Sequence, residues 1–276
     1  MKMKLSVLSS TVLLAMGSGS VLATGDSCNG GVCAPTYEFQ CKGSDCVSNF
    51  NFGKIFQTGN RNTASIDQTT GKATGPKKYR TSESLGKDGY SSRANKSMIY
   101  QTGNGNTASS DQLGAHNHSY IGQYGNKNGA EVVQEGKGND SWVKQFGNNG
   151  DVVVNQFGNG NTSKVVQGGN ANEADIYQLG SDNDANVLQT GGSKNSADIV
   201  QMGTGHDADI IQIAGSNNDA TISQYCDTND AYINQSFGNG NMASVTQSDF
   251  LNTGWVIQLG SGNVGTIAQG SNLGAY

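Results

Sequence analysis

Polar and apolar positions alternate along most of this chain, and one polar residue keeps a nearly constant step. Glutamines stand at Gln57, Gln68, Gln101, Gln112, Gln123, Gln134, Gln145, Gln156, Gln167, Gln178, Gln189, Gln201, Gln212, Gln224, Gln235, Gln247, Gln258 and Gln269, 11 or 12 residues apart except after Gln68. Each closes a segment that reads Asn-x-Ala/Ser-x-Ile/Val-x-Gln-x-Gly, as in Asn172, Ala174, Ile176, Gln178 and Gly180. The Asn position fails only at Gly150 and His206, and the Ile/Val position only at Ser110. All the marked positions share one parity, so on a β-strand they face the same side. A helix would need steps of three and four, which the pattern lacks. Eighteen strands are therefore expected, one per glutamine.

The spacing also predicts how the strands are joined. Where a unit has 12 residues, the extra one falls between Gln and the next Asn, so the turn absorbs it. The long steps begin at Gln189, Gln212 and Gln235, which are alternate units. They share one edge if each coil holds two strands. The predicted fold is all-β: a β-solenoid of about nine coils of 22–23 residues with amyloid-like cross-β stacking. Stacking sets like residues above one another, and a primary amide has two donors and one acceptor oxygen with which to bond along such a column. The glutamines are the expected ladder, with a second amide column at the Asn position represented by Asn62, Asn106, Asn161 and Asn172. Ile and Val would supply the dry filling, Ala, Ser and Gly the close approach, and Gly-Asn turns the positive φ angles.

Composition supports an unusual interior. The chain has 40 Gly, 2 Pro and only 14% charged residues in 276, too few aliphatic side chains for an ordinary core and too little charge or proline for a disordered chain. Lys2 and Lys4 precede an apolar run from Leu5 to Met16 and the small-residue site Val21-Leu22-Ala23. Residues 1–23 therefore read as a secretory signal peptide, too short for a membrane span. A cysteine-containing segment follows at 24–50, then a first coil at 51–68, an insertion at 69–94 and the main array at 95–276. No capping helix or Pro-rich cover is evident, so the terminal strand edges are expected to be open to another chain.

The repeat units resemble a known family. Gln57-Thr-Gly-Asn-Arg-Asn-Thr-Ala-Ser-Ile-Asp-Gln68 and Gln156-Phe-Gly-Asn-Gly-Asn-Thr-Ser-Lys-Val-Val-Gln167 are similar to the curlin repeat, Gln-x-Gly-x-x-Asn-x-Ala/Ser-x-x-x-Gln. The resemblance implies a curli fibre subunit of the major type, forming a homopolymer of identical subunits. It also implies a curli-type nucleator, a dedicated outer-membrane secretion channel, and an extracellular fibre serving cell adhesion and biofilm matrix. The unit count, the cysteines and the insertion depart from the family pattern. Alternatives are a nucleator of the same fibre and a monomeric β-solenoid that binds a surface.

The remaining features sit around the array. The insertion carries six basic residues against two acidic ones, and is read as a solvated loop or as a contact for polysaccharide or another anionic extracellular surface. Residues 97–276 hold five lysines against sixteen acids. Acids such as Asp175, Asp198 and Asp209 are expected to point outward and slow premature stacking. Cys28, Cys33, Cys41 and Cys46 are expected to form two disulfides of unknown pairing, with a four-cysteine metal site as the alternative. Cys226, in a glycine slot, is expected to be a buried thiol, with intermolecular pairing as the alternative. Outward Trp142, Phe146, Phe157, Tyr177 and Trp255 are candidates for lateral contacts. No nucleophile–base spacing or carboxylate pair stands apart from the repeat, so no enzyme, cofactor or nucleic-acid role is expected.

Overall fold

A computed structural model describes residues 51–70 and 95–270 throughout, together with the backbone of the strands β1 (Ser10–Met16), β2 (Val21–Asn29) and β3 (Val32–Phe39). The array opens with β4 (Asn51–Thr58) and β5 (Thr63–Thr70), which form its first coil. It continues through β6 (Lys96–Asn104) and closes with β20 (Thr253–Leu259) and β21 (Val264–Gln269). From β4 on, even-numbered strands form one sheet and odd-numbered strands the other, nine in each, and neighbours within a sheet pair parallel. This is the two-strand β-solenoid that the spacing predicts. The extra residues of the 12-residue units fall at one edge of one sheet, where Gly191, Ala214 and Phe237 take successive left-handed conformations. Ala214 and Phe237 each donate their N–H to the coil before.

Register is strict. Ser141, Val143 and Gln145 lie against Ser119, Ile121 and Gln123 on one side and against Ser163, Val165 and Gln167 on the other. The Ile/Val column is the dry centre: Ile99, Ile121, Val143, Val154 and Ile176 are among its fully buried members. Ser110, the exception in the pattern, is buried in the same column. The small-residue column changes character along the rod. Ser97, Ser119, Ser141 and Ser163 are buried with hydroxyls that bond to nothing among the described residues, while Ala185, Ala208 and Ala231 occupy it further on.

The glycine two residues after most of the glutamines is fixed by backbone contact. Gly125 has φ of 130°, and a Cβ added there would fall on the carbonyl oxygen of Gly147 in the next coil. An L side chain is therefore excluded by conformation and by volume together.

The segment before the array differs from it. β1 lies antiparallel against β4, with Met16 opposite Asn51 and Ser10 opposite Gln57, so the first strand edge is not bare as the sequence suggested. β2 and β3 pair antiparallel and set Cys28 directly opposite Cys33. Cys41, Cys46 and most of the basic insertion lie outside the described residues.

Two substitutions test this packing in guanidinium unfolding. Gly125→Ala should destabilise the folded chain by on the order of 2–4 kcal/mol. Ser141→Ala, which removes an unbonded hydroxyl, should be neutral or stabilise by up to about 1 kcal/mol. A clear loss of stability on Ser141→Ala would show that the serine column is bonded after all.

Candidate functional site: the stacked amide columns

The glutamines stand inside the coil in two columns, one per sheet. In the even-numbered sheet Gln101 Nε2 donates to Gln123 Oε1 at 2.8 Å, Gln123 to Gln145 at 2.9 Å and Gln145 to Gln167 at 3.1 Å. The other column repeats this, as in Gln112 to Gln134 and Gln134 to Gln156. The chain of bonds crosses the insertion, since Gln57 donates to Gln101 and Gln68 to Gln112. It reaches the last coil through Gln235 to Gln258 and Gln247 to Gln269. Every step runs the same way, from the Nε2 of one coil to the Oε1 of the coil after it.

The second amide proton goes across the coil. Gln101 donates to the carbonyl of Thr63, Gln123 to that of Thr107 and Gln145 to that of Gly129, each the first residue of the facing strand. One amide thus ties its coil to the next and its sheet to the opposite one. The sequence pattern shows the column but not this cross-bond, because the facing strand's offset is set by the turn.

Amide-to-amide bonds of the kind expected for this asparagine column occur at Asn161–Asn183 and Asn241–Asn263, but most of its members bond to backbone instead. Asn106 Oδ1 accepts the backbone N–H of Asn128 at 3.0 Å, and Asn106 Nδ2 donates to the carbonyl of Gly125 at 2.9 Å. Asn62 does the same toward Asn106 and Gly103. Asn161 Oδ1 takes both the N–H and the Nδ2 of Asn183, and Asn172 Oδ1 takes the N–H of Asn195. These residues clamp each turn to the next coil's backbone. An amide-to-amide asparagine column does exist, but at the exposed turn position: Asn60, Asn104, Asn126, Asn148 and Asn170 bond in series at 2.9–3.2 Å. Its signal was Gln-x-Gly-Asn at Gln57, Gln101, Gln123, Gln145 and Gln167, the glutamines of one sheet.

The two exceptions in the Asn column keep its backbone contacts. Gly150 still donates its N–H to Asn128 Oδ1. His206 Nδ1 accepts the N–H of Asn229 at 3.2 Å, and its Nε2 lies 3.3 Å from the carbonyl of Met202. That arrangement requires a neutral ring with its proton on Nε2. Burial holds the imidazole below its ordinary pKa.

Outside the coil, charge and aromatic side chains are segregated. On the even-numbered sheet Phe56, Tyr100, Tyr120 and Trp142 follow one another on successive coils with centroids 5.7–6.1 Å apart, and Tyr124 stacks on Phe146 at 5.3 Å. Lys144 and Lys164 lie over Trp142 at 4.6 and 5.4 Å, and Lys54 over Tyr100 at 5.1 Å. The scattered aromatics of the sequence thus become a row, joined on the other sheet by Phe157 against Tyr177. Carboxylates gather further along. Burial, then the neighbouring charges of Asp175, Asp219 and Glu173, push Asp198 up to about 6. Burial, then Asp209, Asp184 and Asp230, do the same for Asp207. Cys226 is exposed rather than buried, at φ of 73°. Among the described residues no three of His, Cys, Asp and Glu are placed to share a metal, and no helix is long and apolar enough to cross a membrane.

The histidine gives a pH test. With a folded pKa below the free value, its contribution to stability is fully present above about pH 6.5 and is lost as pH falls toward the lowered value. His206→Asn restores the residue used by the neighbouring coils, so between pH 8 and pH 5 it should remove part of the parent's acid-induced loss. Parallel stability profiles for the two proteins would overturn this role.

A search among curated proteins finds no match. The family model of the curlin associated repeat matches residues 94–125, 125–158, 158–191, 192–225 and 215–248, together more than half of the chain and all within the stacked array. The internal glutamine columns, the glycine column beside them and these five matches concur: the chain belongs to the curlin family of structural fibre proteins.

Proposed function

We propose that this protein is a structural subunit of a secreted, amyloid-type surface fibre that grows by coil-on-coil addition of identical chains, for cell adhesion and biofilm matrix. One observation carries the reading. Both glutamine columns run unbroken from the first coil to the last, so the bonding that joins coils within a chain is available to join chains. A stack of this kind has no intrinsic length. Family membership supports export and extracellular assembly, with a nucleator and an outer-membrane channel as partners. The cleaved segment would be residues 1–23.

The charged exterior fits a protein that must stay unassembled until it is outside. Asp151, Glu173, Asp175, Asp198 and Asp219 act on one another on one sheet, and Asp184, Asp207, Asp209 and Asp230 on the other. Each further coil brings such groups closer, which slows stacking while they are ionised.

Fibre growth followed with an amyloid dye tests the proposal, and purified chain that stays soluble for days would overturn it. Growth only on seeds of another protein would assign the bulk subunit, whereas seeding others without growing would assign the nucleator. Replacing Gln101, Gln123 and Gln145 together by Ala removes ladder bonds and leaves the carbonyls of Thr63, Thr107 and Gly129 without their amide donors. Growth should slow by about tenfold or more, since each bond contributes roughly 0.5–1.5 kcal/mol, and unchanged kinetics would refute the ladder's role.

The carboxylates predict the opposite sign. Groups whose folded pKa is raised to about 6 resist stacking above that value, and the resistance is relieved as pH falls through 6 toward the ordinary carboxylate range. In the His206→Asn background, growth should be faster at pH 5 than at pH 7.5. Changing Asp175, Asp198 and Asp209 to Asn should speed growth at pH 7.5 and flatten the profile. Equal or slower growth of that variant would count against gatekeeping.

A further inference from the structure

We infer that copies of this chain join head to tail in a single register, with β20 and β21 of one copy lying parallel against β4 and β5 of the next and Trp255 meeting Lys54 on the outer face. The inference rests on the fibre reading above and adds to it the polarity of the fibre and the residues of its junction.

Polarity follows from the ladder. Because every column bond points from Nε2 to the next Oε1, the first coil presents acceptors and the last presents donors. Gln68 Oε1 is buried and bonded to nothing among the described residues, while Gln269 Nε2 has one proton on the carbonyl of Thr253 and none on a following glutamine. Head-to-tail stacking supplies Gln269 to Gln68 and Gln258 to Gln57. It also gives Gln57 the carbonyl of Val264, the counterpart of the Gln101-to-Thr63 cross-bond. Head-to-head stacking would set oxygen against oxygen. The turns have the same polarity: Asn229 Oδ1 takes the N–H of Asn252 and Asn241 Oδ1 that of Asn263, so head-to-tail stacking would bring the N–H groups of Asn51 and Asn62 to Asn252 and Asn263 in the same sense.

Register follows from the outer face. Trp255 is 64% and Val264 75% exposed, and Ile257 and Leu259 are similarly open, since β20 and β21 are the outermost strands among the described residues. In the proposed register Ile257 lies against Phe56 and Leu259 against Thr58, with Gly254 against Gly53 between the sheets. An offset of half a coil would instead set Ile257 against Asp67, an apolar side chain on a carboxylate. The column that ends in Trp255 begins with Lys54 and already contains the step that stacking would create. Trp142 is followed one coil on by Lys164, with the ammonium 5.4 Å from the ring. Lys54 rests over Tyr100 on its inner side, so its outer side is the one that Trp255 would cover.

The edge of β5 carries no further strand among the described residues, but that of β4 is paired with β1. An antiparallel partner cannot continue a parallel, in-register ladder. β1 falls within residues 1–23, so removal of that segment opens the acceptor edge.

The test uses chain recovered from the cell surface and dissociated. One batch carries carbon-13 tryptophan, the other nitrogen-15 lysine, and fibres grown from an equal mixture are examined by solid-state NMR. The labels never share a molecule, so a tryptophan–lysine contact reports a junction between copies, and the chain has only 2 tryptophans to assign. The expected result is a contact that Trp255→Leu or Lys54→Met abolishes and Trp142→Leu leaves in place. Lys54→Met should also raise the soluble concentration remaining after growth by about two- to fivefold, the worth of an exposed cation–π pair. Fibres without the contact, or a contact that survives Trp255→Leu, would overturn the junction alone. Absence of any fibre would overturn the fibre reading and the junction with it.

Discussion

A primary amide taken out of water must find acceptors for two N–H groups and a donor for its oxygen, or cost the fold several kcal/mol. This chain buries one such group in each strand of the array except the first and the last, with Gln101, Gln123 and Gln145 fully enclosed. Both requirements are met only when the next coil brings its own amide to the same height and the facing sheet brings a carbonyl to the right offset. The amide therefore dictates parallel pairing, exact superposition of strands and a fixed sheet-to-sheet stagger. The Ile/Val column contributes attraction, but it would tolerate a slip that the amides do not. Hydrophobic burial compacts the coil, and hydrogen bonding tells it where to stop.

The same dependence explains what is allowed to vary. Positions facing out accept aromatics, lysines or aspartates, and even the clamp position accepts His206, because an imidazole nitrogen can take the N–H of Asn229 as an asparagine oxygen would. The glycine at the strand end accepts almost nothing, since its neighbour one coil on occupies the space of a side chain. Cys226 departs from this rule near the end of the rod, at a positive φ and with its thiol 3.5 Å from the carbonyl of Ser248.

Much of the fold was legible because its period is a property of the strand and its chemistry a property of one residue type. Strand parity, the two-strand coil and the single edge for the 12-residue units could all be read from glutamine spacing. What the spacing could not supply was distance across the coil. The bond from Gln101 to the Thr63 carbonyl depends on sheet stagger, and the exchange of roles between Asn106 and Asn104 depends on which way each turn residue faces. The aromatic row was hidden for a related reason: Tyr100, Tyr120 and Trp142 are 20 and 22 residues apart and become neighbours only when coils are counted rather than residues.

The extra residues at Gly191, Ala214 and Phe237 leave the rise of the rod untouched while lengthening one turn on each of three coils. The two long sides of the rod are consequently unequal, one held to a constant gauge and the other elastic in length. Phe237 stands well out from the elastic side. A lineage that needed a new surface group could add it there, coil by coil, with the internal columns unaware of the change. The rod can thus diversify along one seam while its mechanical properties stay constant.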